Sequence, residues 1–276
     1  MADTRPSIAD KRRAFQQLHE AGCFVIPNPW DVGSARFLQS LGFKALATTS
    51  SGFAWSQGRA DGAIWRDRVL GHLHDMVAAT ELPVNADFES GFAPDPVGVA
   101  ENVRLAVKTG VAGLSIEDST GDAAKPLYEL NVAVERMRAA RKAIDKAGGD
   151  TLLVGRAECF LVGRPDPEET IRRLQAYAQA GADCLYAPGI RTPEQIRALV
   201  AAVAPKPFNL LVGSASPLTL QEISALGVRR VSVGGALARA AWSGFMRAAR
   251  LIAEHGKFDG FANAASGQEL NSLFRD

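Results

Sequence analysis

Eight short apolar runs, separated by amphipathic stretches, constrain the fold of this chain more than any other feature. The runs cover residues 23–27, 45–49, 83–89, 113–118, 152–158, 184–187, 208–212 and 230–233. Several are nearly continuous in Val, Leu, Ile and Ala, which is typical of parallel strands covered on both faces. The stretches between them have helical periodicity and often stop at a glycine just before the next run.

Strands that alternate with helices over 276 residues predict an α/β fold, a (β/α)8 TIM barrel. A doubly wound open sheet is the alternative. It is disfavoured because residues 27–34 (PNPWDVGS) contain no Gly-x-Gly-x-x-Gly turn after the first strand. No linker divides the chain, so we predict one barrel domain over residues 1–276. Residues 236–276 form a C-terminal helical extension, long enough to pack on a neighbouring subunit.

Charge and cysteine content disfavour several classes of partner. The net charge is +1 at pH 7, so neither nucleic acid nor an acidic surface is expected to bind. The three cysteines (Cys23, Cys159 and Cys184) are odd in number and widely spaced, which disfavours a disulfide framework or a zinc site. There is no apolar signal region and no apolar stretch near the roughly 20 residues of a membrane span. We expect a cytoplasmic protein without membrane contact.

Carboxylates follow three of the apolar runs. Asp61 comes after the second run, across a Gly/Ser-rich loop, and residues 85–89 (NADFE) and 116–118 (IED) end the third and fourth. Alternation along a strand places residues 85, 87 and 89 on one face. The strand ends of a barrel meet at one mouth, and oxygen ligands gathered there suit Mg²⁺, or Mn²⁺ in its place.

Other strand ends carry further candidates. Glu117 and Asp118 face opposite ways, so we assign Glu117 to the site, while Asp118 fits a turn or N-cap role equally well. Arg156 needs a carboxylate partner, from the protein or from a substrate, and its planar fork suits a bidentate grip. Asn209 on the seventh run is a candidate for substrate binding. Residues 48–53 (TTSSGF) fit an anion cradle and a structural turn equally well.

Two short pairs, residues 213–214 (GS) and 234–235 (GG), follow the last two runs. They resemble the phosphate cradle that many barrels form at these positions, but short glycine pairs are also common in ordinary turns. The four histidines fall on helical stretches, which disfavours a histidine metal site or a nucleophile triad.

Together these segments resemble the isocitrate lyase/phosphoenolpyruvate mutase superfamily, from about residue 24 through residue 235. The resemblance rests on residues 28–35 (NPWDVGSA), 49–52 (TSSG), 85–92 (NADFESGF), 113–118 (GLSIED), 156 (R) and 181–183 (GAD). It implies a (β/α)8 barrel that exchanges its last helix between subunits of a dimer of dimers, and therefore a homo-oligomer, either dimer or tetramer. It also implies Mg²⁺-assisted chemistry on a 2-oxo or 2-hydroxy carboxylate through an enolate-like species.

The resemblance implies a role for each matching residue. The substrate carboxylate would be held by Ser51, Gly52 and Phe53, and Arg156 would grip the substrate oxyanion. The Mg²⁺ site would comprise Asp61, Asn85, Asp87 and Glu117, mostly through water. Asn85 departs from the family, which normally has Asp as the direct ligand there, and Glu89 on the same face would supply an additional carboxylate.

Two further departures concern the chemistry. Residues 118–128 lack the Cys and His of the gating loop of isocitrate lyases, and residues 187–189 (APG) replace a family Glu. A standard isocitrate lyase is therefore disfavoured. Lys125 matches the loop of the phosphonate-cleaving members only loosely. Lys125, Tyr128 or water remain as candidate proton donors.

From these features we predict a lyase that cleaves a carbon–carbon bond of a small 2-oxo or 2-hydroxy (di)carboxylic acid, by retro-aldol cleavage or by decarboxylation. The alternatives are a phosphonopyruvate mutase or hydrolase, and a barrel that binds a keto acid without turning it over.

Overall fold

Each of the eight apolar runs contains a strand. In the computed structural model, which describes residues 5–275, all strand pairs are parallel. The strands are β1 (Phe24–Ile26), β2 (Leu46–Ala47), β3 (Val84–Asp87), β4 (Gly113–Glu117), β5 (Leu152–Arg156), β6 (Cys184–Tyr186), β7 (Phe208–Leu211) and β8 (Arg230–Ser232). The alternation of strands and helices that the sequence predicts is confirmed.

The strands form a nearly closed barrel in the order β1-β8-β7-β6-β5-β4-β3-β2. Between β1 and β2, the Ala47 N–H donates to Pro27 O at 3.0 Å. The Asn28 side chain reinforces this seam: its Nδ2 donates to Thr48 O at 2.9 Å, and its Oδ1 accepts from the backbone N–H groups of residues 233 and 234, both at 2.9 Å. The predicted (β/α)8 TIM barrel is confirmed.

Eleven α-helices surround the strands and extend the chain beyond β8 within the described residues. They are α1 (Ile8–Leu18), α2 (Val32–Ser40), α3 (Ser50–Ser56), α4 (Arg66–Ala79), α5 (Pro96–Lys108), α6 (Leu130–Lys146), α7 (Pro167–Gln179), α8 (Pro193–Val203), α9 (Leu220–Ala225), α10 (Ala236–His255) and α11 (Gly267–Leu273). Many start at a side-chain cap, as sequence rules expect: Asp95 and Asp166 accept bonds from the first turns of α5 and α7, each followed by Pro at the first helical position.

Helix α1 closes the N-terminal end of the barrel. Phe15 is fully buried against Ile26, Ala47 and their neighbours. Arg12 donates to Val111 O at 3.1 Å and to the carbonyl of residue 107 at 2.8 Å, next to the start of β4. Because side chains of α1 fill this end, we look for the candidate site at the C-terminal mouth of the barrel.

The C-terminal extension is helical, as predicted, but it is hardly buried within one chain. On α10, Ala238 alone is buried among the described residues. Large apolar side chains remain exposed on α10 and the segment after it, including Trp242, Phe245, Phe258 and Phe261. Exchange of this segment between subunits, and the assignment of residues 1–276 to one domain, stay predictions. No described helix combines the length and the apolar character needed to cross a membrane.

Candidate active site

The C-terminal strand ends enclose a polar cavity of about 190 Å³, the catalytic pocket. Its wall brings together residues that are far apart in sequence: Asp61, Asn85, Asp87, Arg156 and Ser51. All five belong to the predicted site. The barrel therefore assembles at one mouth the polar side chains that follow β2, β3 and β5.

Asp87 is held at the end of β3 by the neighbouring strand and helix. Its backbone N–H donates to Thr48 Oγ1 at 2.9 Å, and its Oδ2 accepts from the Ser50 N–H at the start of α3, at 3.0 Å. Its Oδ1 lies 3.3 Å from Arg156 Nη1. One carboxylate thus joins three elements of the pocket, and its orientation is fixed before any ligand arrives.

Arg156 is surrounded by carboxylates. Its Nη1 lies 3.1 Å from Glu117 Oε2 and 3.3 Å from Asp87 Oδ1, and its Nε donates to Glu158 Oε1 in a short hydrogen bond. The Tyr186 ring lies under the guanidinium, with 5.2 Å between Arg156 Cζ and the ring centroid. Arg156 Nη2 forms no hydrogen bond with the described residues, so the fork keeps donors for a ligand oxyanion.

The acids of the site, Asp61, Asp87, Glu89 and Glu117, outnumber its two arginines, Arg156 and Arg230. Burial, with added repulsion from Asp87, Glu117 and Asp61, raises the pKa of Glu89 to about 8. Burial likewise raises the pKa of Glu117 to about 8, although Arg156 opposes the shift. Partial desolvation raises the pKa of Asp61 at the rim, and Asp87 adds to it. Repulsion between carboxylates gathered in one cavity is relieved either when some of them are protonated or when a cation binds.

This crowding predicts a pH-dependent stability. Because the pKa of Glu89 rises from 4.5 to about 8, the folded chain keeps a proton that the unfolded chain releases, and stability should fall as pH rises between these values. The stability that protonated Glu89 contributes to the fold is fully present below pH 4.5, and it is lost above about pH 8. Thermal unfolding in EDTA between pH 5 and 9 measures the effect, where Glu89→Gln should flatten the slope. If the melting temperatures of the wild type and Glu89→Gln depend equally on pH, Glu89 is not the group that causes the pH dependence.

The predicted carboxylate cradle is only partly exposed to the pocket. Ser50 and Ser51 line the cavity, and Ser51 Oγ lies 3.1 Å from Thr49 Oγ1. Gly52 and Phe53 are buried in the first turn of α3, where the Phe53 N–H is bonded to Thr49 O at 3.0 Å. In this conformation the Ser51 hydroxyl faces the pocket, whereas the backbone N–H groups of Gly52 and Phe53 donate to Thr49 at the start of the helix.

Asn85 and Asn209 belong to the floor of the barrel. Asn209 is fully buried, and its Oδ1 accepts from Arg230 Nε at 2.7 Å, while its Nδ2 donates to Ser232 Oγ at 2.9 Å. Asn85 Oδ1 lies 3.4 Å from Arg230 Nη1. Asn209 therefore contacts the pocket residues Arg230 and Ser232 from outside the lining, and Asn85 lines the pocket with its amide oxygen facing Arg230.

Lys125 and Tyr128 lie outside the catalytic pocket in this conformation. Lys125 is exposed on the loop after β4, and Tyr128 packs under Arg136, with 4.1 Å between Arg136 Cζ and the ring centroid. Asp118, which the sequence left between two roles, is buried behind the strand and accepts bonds from Arg173 and Tyr177 at 3.0 and 2.5 Å. It anchors the end of β4 and does not face the site.

Sequence reasoning missed Tyr186, Arg230 and Ser232, which line the catalytic pocket. Their positions in the strands could have identified them in the sequence. Arg230 and Ser232 are two residues apart on β8 and therefore point the same way, and Tyr186 ends β6. Burial raises the pKa of Tyr186 to about 12, so its hydroxyl stays protonated in the site.

Comparisons with known proteins agree with this geometry. A sequence model of the family described as phosphoenolpyruvate phosphomutase matches residues 15–253. The chain is 31% identical over 243 residues to the uncharacterized protein Rv1998c of Mycobacterium tuberculosis (strain ATCC 25618 / H37Rv), covering 87% of this chain and 89% of that protein.

Solved structures extend the likeness to the whole fold. A Burkholderia cenocepacia J2315 protein, provisionally described as a lyase/mutase, is 49% identical with a TM-score of 0.94, and the match covers 97% of each chain. A 2,3-dimethylmalate lyase, described as a PEP mutase/isocitrate lyase superfamily member, is 26% identical with a TM-score of 0.84, over 97% of this chain and 94% of that one. The chain therefore belongs to the phosphoenolpyruvate phosphomutase family, and it is an enzyme of the superfamily of lyases and mutases that the sequence motifs indicated.

Proposed function

We propose that this enzyme is a Mg²⁺-assisted lyase that cleaves a carbon–carbon bond of a small 2-oxo or 2-hydroxy (di)carboxylic acid through an enolate intermediate. One observation carries the proposal: Asp61, Asp87, Glu89 and Glu117 crowd the C-terminal mouth, where the guanidinium of Arg156 contacts Asp87 and Glu117. A site that gathers several acids beside a fixed oxyanion donor suits a divalent cation and an anionic substrate together.

The donor set fits a cation held through water. Within residues 5–275, no three His, Cys, Asp or Glu side chains converge closely enough to hold a metal ion directly. Mg²⁺ keeps several of its waters and usually takes only one or two carboxylates, so carboxylates that lie apart from one another suit it. We assign this role to Asp61, Asp87 and Glu117, with Asn85 as a neutral oxygen below them, and with Mn²⁺ as a substitute ion.

The chain's own residues divide the remaining work. When bound, the cation would supply Lewis-acid stabilisation of the negative charge that develops on the substrate oxygen. Arg156 would bind and orient the substrate carboxylate or oxyanion through its unpaired Nη2, and Ser51 would donate its hydroxyl to the same group. The protonated phenol of Tyr186 is a donor already inside the pocket, whereas Lys125 or Tyr128 could deliver a proton only after the loop moves.

The test is ligand-induced stabilisation with and without metal. Oxalate mimics a small enolate, so we expect it to raise the melting temperature more in Mg²⁺ than in EDTA. The gain in stability would be about 2.7 kcal/mol when oxalate is present at 100 times its dissociation constant. Asp87→Asn should lose most of the Mg²⁺-dependent part. Pyruvate, oxaloacetate, isocitrate and methylisocitrate complete the panel, and the strongest ligand would enter turnover assays.

The outcomes separate the candidate functions. Stabilisation without turnover of any acid would favour a non-catalytic keto-acid-binding barrel, and no Mg²⁺-dependent stabilisation at all would contradict the proposed site. Phosphonopyruvate chemistry is the second candidate, because the family model carries the name of a phosphomutase. Phosphorus NMR of phosphonopyruvate incubated with the protein would detect its conversion to phosphoenolpyruvate or to free phosphate.

We further propose a homo-oligomer, dimer or tetramer, in the cytoplasm. Its support is the exposed apolar face on α10 and the following segment, which includes Trp242 and Phe245, because an apolar area of this kind is expected to be covered. The three cysteines are free thiols, as expected in a reducing compartment. Sedimentation of the full chain as a monomer at micromolar concentration would contradict the oligomer.

A further inference from the structure

A second cavity, of about 300 Å³, adjoins the catalytic pocket where β6, β7 and β8 end beside α8. We call it the distal cavity. The two cavities share Leu161, Leu211, Gly234 and Gly235 in their walls. A Cβ on Gly234 would meet Leu211 Cδ1 at 3.2 Å, and a Cβ on Gly235 would meet Ser51 Oγ at 2.7 Å. Because the two glycines have no side chains, the wall between the cavities consists mainly of the side chains of Leu161 and Leu211.

The distal cavity is apolar inside and positively charged at its mouth. Ile190 and Leu210 in its lining are only 2% and 3% exposed. Arg191 and Arg239 also belong to the lining, which contains no carboxylate. Both arginines are exposed, and neither forms an ion pair with a described residue.

The mouth of the distal cavity holds several donors for an oxyanion. Arg239 Nη2 donates to Gly213 O in a short hydrogen bond, which fixes one guanidinium beside the loop after β7. The hydroxyl-bearing residues Ser214 and Ser216 lie in the same lining. Guanidinium groups with nearby hydroxyls and no competing acid are the usual means of binding a carboxylate.

The two cavities differ in their charged groups. Asp61 and Asp87 line the catalytic pocket together with Arg156 and Arg230, whereas the distal cavity has two arginines and no acid. A ligand that spans both would carry its reacting 2-oxo or 2-hydroxy acid group at one end and a second anionic group at the other. The carbon atoms between them would contact Leu161 and Leu211.

We propose that the distal cavity is a subsite for the terminal carboxylate of a dicarboxylic substrate, and that Arg191 and Arg239 select substrates by chain length. The inference rests on the proposed function, and it narrows the substrate class. The substrate is a 2-oxo or 2-hydroxy diacid whose second carboxylate is separated from the reacting end by an apolar chain. An acid confined to the catalytic pocket, such as oxalate, would not contact these arginines.

Matched pairs of ligands test the proposal by calorimetry in Mg²⁺. Malate, 2-hydroxyglutarate and 2-hydroxyadipate are each compared with the 2-hydroxy monocarboxylate of equal chain length. We expect at least one diacid to bind about 10- to 100-fold more tightly than its monocarboxylate partner, the range that one charge-assisted hydrogen bond supplies. Arg191→Met should remove this advantage. Arg197→Met, which removes an exposed arginine of α8 outside the cavity lining, should leave it unchanged.

A second variant fills the distal cavity without touching its charge. A Cβ on Gly213 would meet only Leu211 side-chain atoms, at 3.6 to 3.8 Å, so Gly213→Leu should fold normally. We expect it to weaken binding of the preferred diacid about 10-fold or more while oxalate binding changes less than about 2-fold, because only the longer ligand needs the filled space.

Each outcome decides between the hypotheses. If no diacid binds better than its monocarboxylate partner, or if Arg191→Met and Arg197→Met behave alike, the distal subsite is overturned. Wild-type binding of oxalate reports separately on the proposed enolate site. A diacid that binds through Arg191 to a protein that ignores oxalate would therefore keep the subsite and reject the enolate chemistry.

Discussion

Replacing Arg156 with methionine is expected to destabilise the fold by about 3–5 kcal/mol and to abolish ligand binding, because the change strands buried carboxylates without their cation. The side chains of Glu117 and Glu158 are 14% and 6% exposed, and both lie against the guanidinium. Without it, their repulsion favours protonation, so the loss of stability should be larger at pH 8 than at pH 5. Urea unfolding at both pH values measures the difference.

Arg156→Lys is the matched control for this prediction. Lysine keeps the charge but lacks the planar fork that contacts three carboxylates at once, so its unfolding free energy should lie between those of the wild type and Arg156→Met. Oxalate affinity should still fall about 10- to 100-fold, because the donor geometry is lost. If Arg156→Met unfolds within about 1 kcal/mol of the wild type, the guanidinium does not hold the site together.

Replacing Asp118 with alanine is expected to cost about 3–5 kcal/mol as well, although this residue never faces the pocket. Its buried carboxylate accepts from Tyr177 Oη at 2.5 Å, Arg173 Nη1 at 3.0 Å and the Glu158 N–H at 2.8 Å. The variant leaves the buried phenol of Tyr177 without its acceptor, and it removes one of the two carboxylates that Arg173 contacts, the other being Glu169. The variant also removes the hydrogen bond from the Glu158 N–H to Asp118. Because Glu158 contacts Arg156, the loss of this bond should lower oxalate affinity along with stability.

Tyr177→Phe tests whether the charge of Asp118 or a single hydrogen bond carries this effect. Removing the phenol deletes one of the three bonds and should cost about 1 kcal/mol. Its oxalate affinity should stay near the wild-type value, since the Arg173 and Glu158 contacts remain. Equal losses for Asp118→Ala and Tyr177→Phe in thermal and urea unfolding would show that Asp118 is not the anchor of this corner of the barrel.

Most of the fold and part of the site could be read from the chain, because both follow from periodicity. Apolar runs of strand length, spaced by helical stretches, indicate the barrel before any contact is known. Asp87, Glu117 and Arg156 could be selected because each ends a strand, and the strand ends of a barrel share one mouth. The two-residue alternation also separated Glu117 from Asp118, which the structure places on opposite sides of β4.

The rest depended on contacts between distant segments, which local patterns do not record. Lys125 and Tyr128 lie in a loop whose path has no periodicity, and that path carries them away from the catalytic pocket. Arg230 looked like one more polar residue in a short run, yet it lies on the floor of the pocket between Asn85 and Asn209. The distal cavity was equally invisible, since its wall combines loops that follow three different strands.

The sequence by itself determined the barrel, and it indicated the end of the barrel where the candidate site lies and the acids and arginine at its strand ends, because strand spacing and alternation are local properties of the chain. Only the tertiary structure decided which groups share a charge environment. Burial raises the pKa of Glu89 and Glu117 to about 8. The folded chain also packs Tyr128 under Arg136, and it places two exposed arginines beside an apolar cavity. Coulombic repulsion and desolvation act across space, so their outcome depends on distances that exist only in the folded chain.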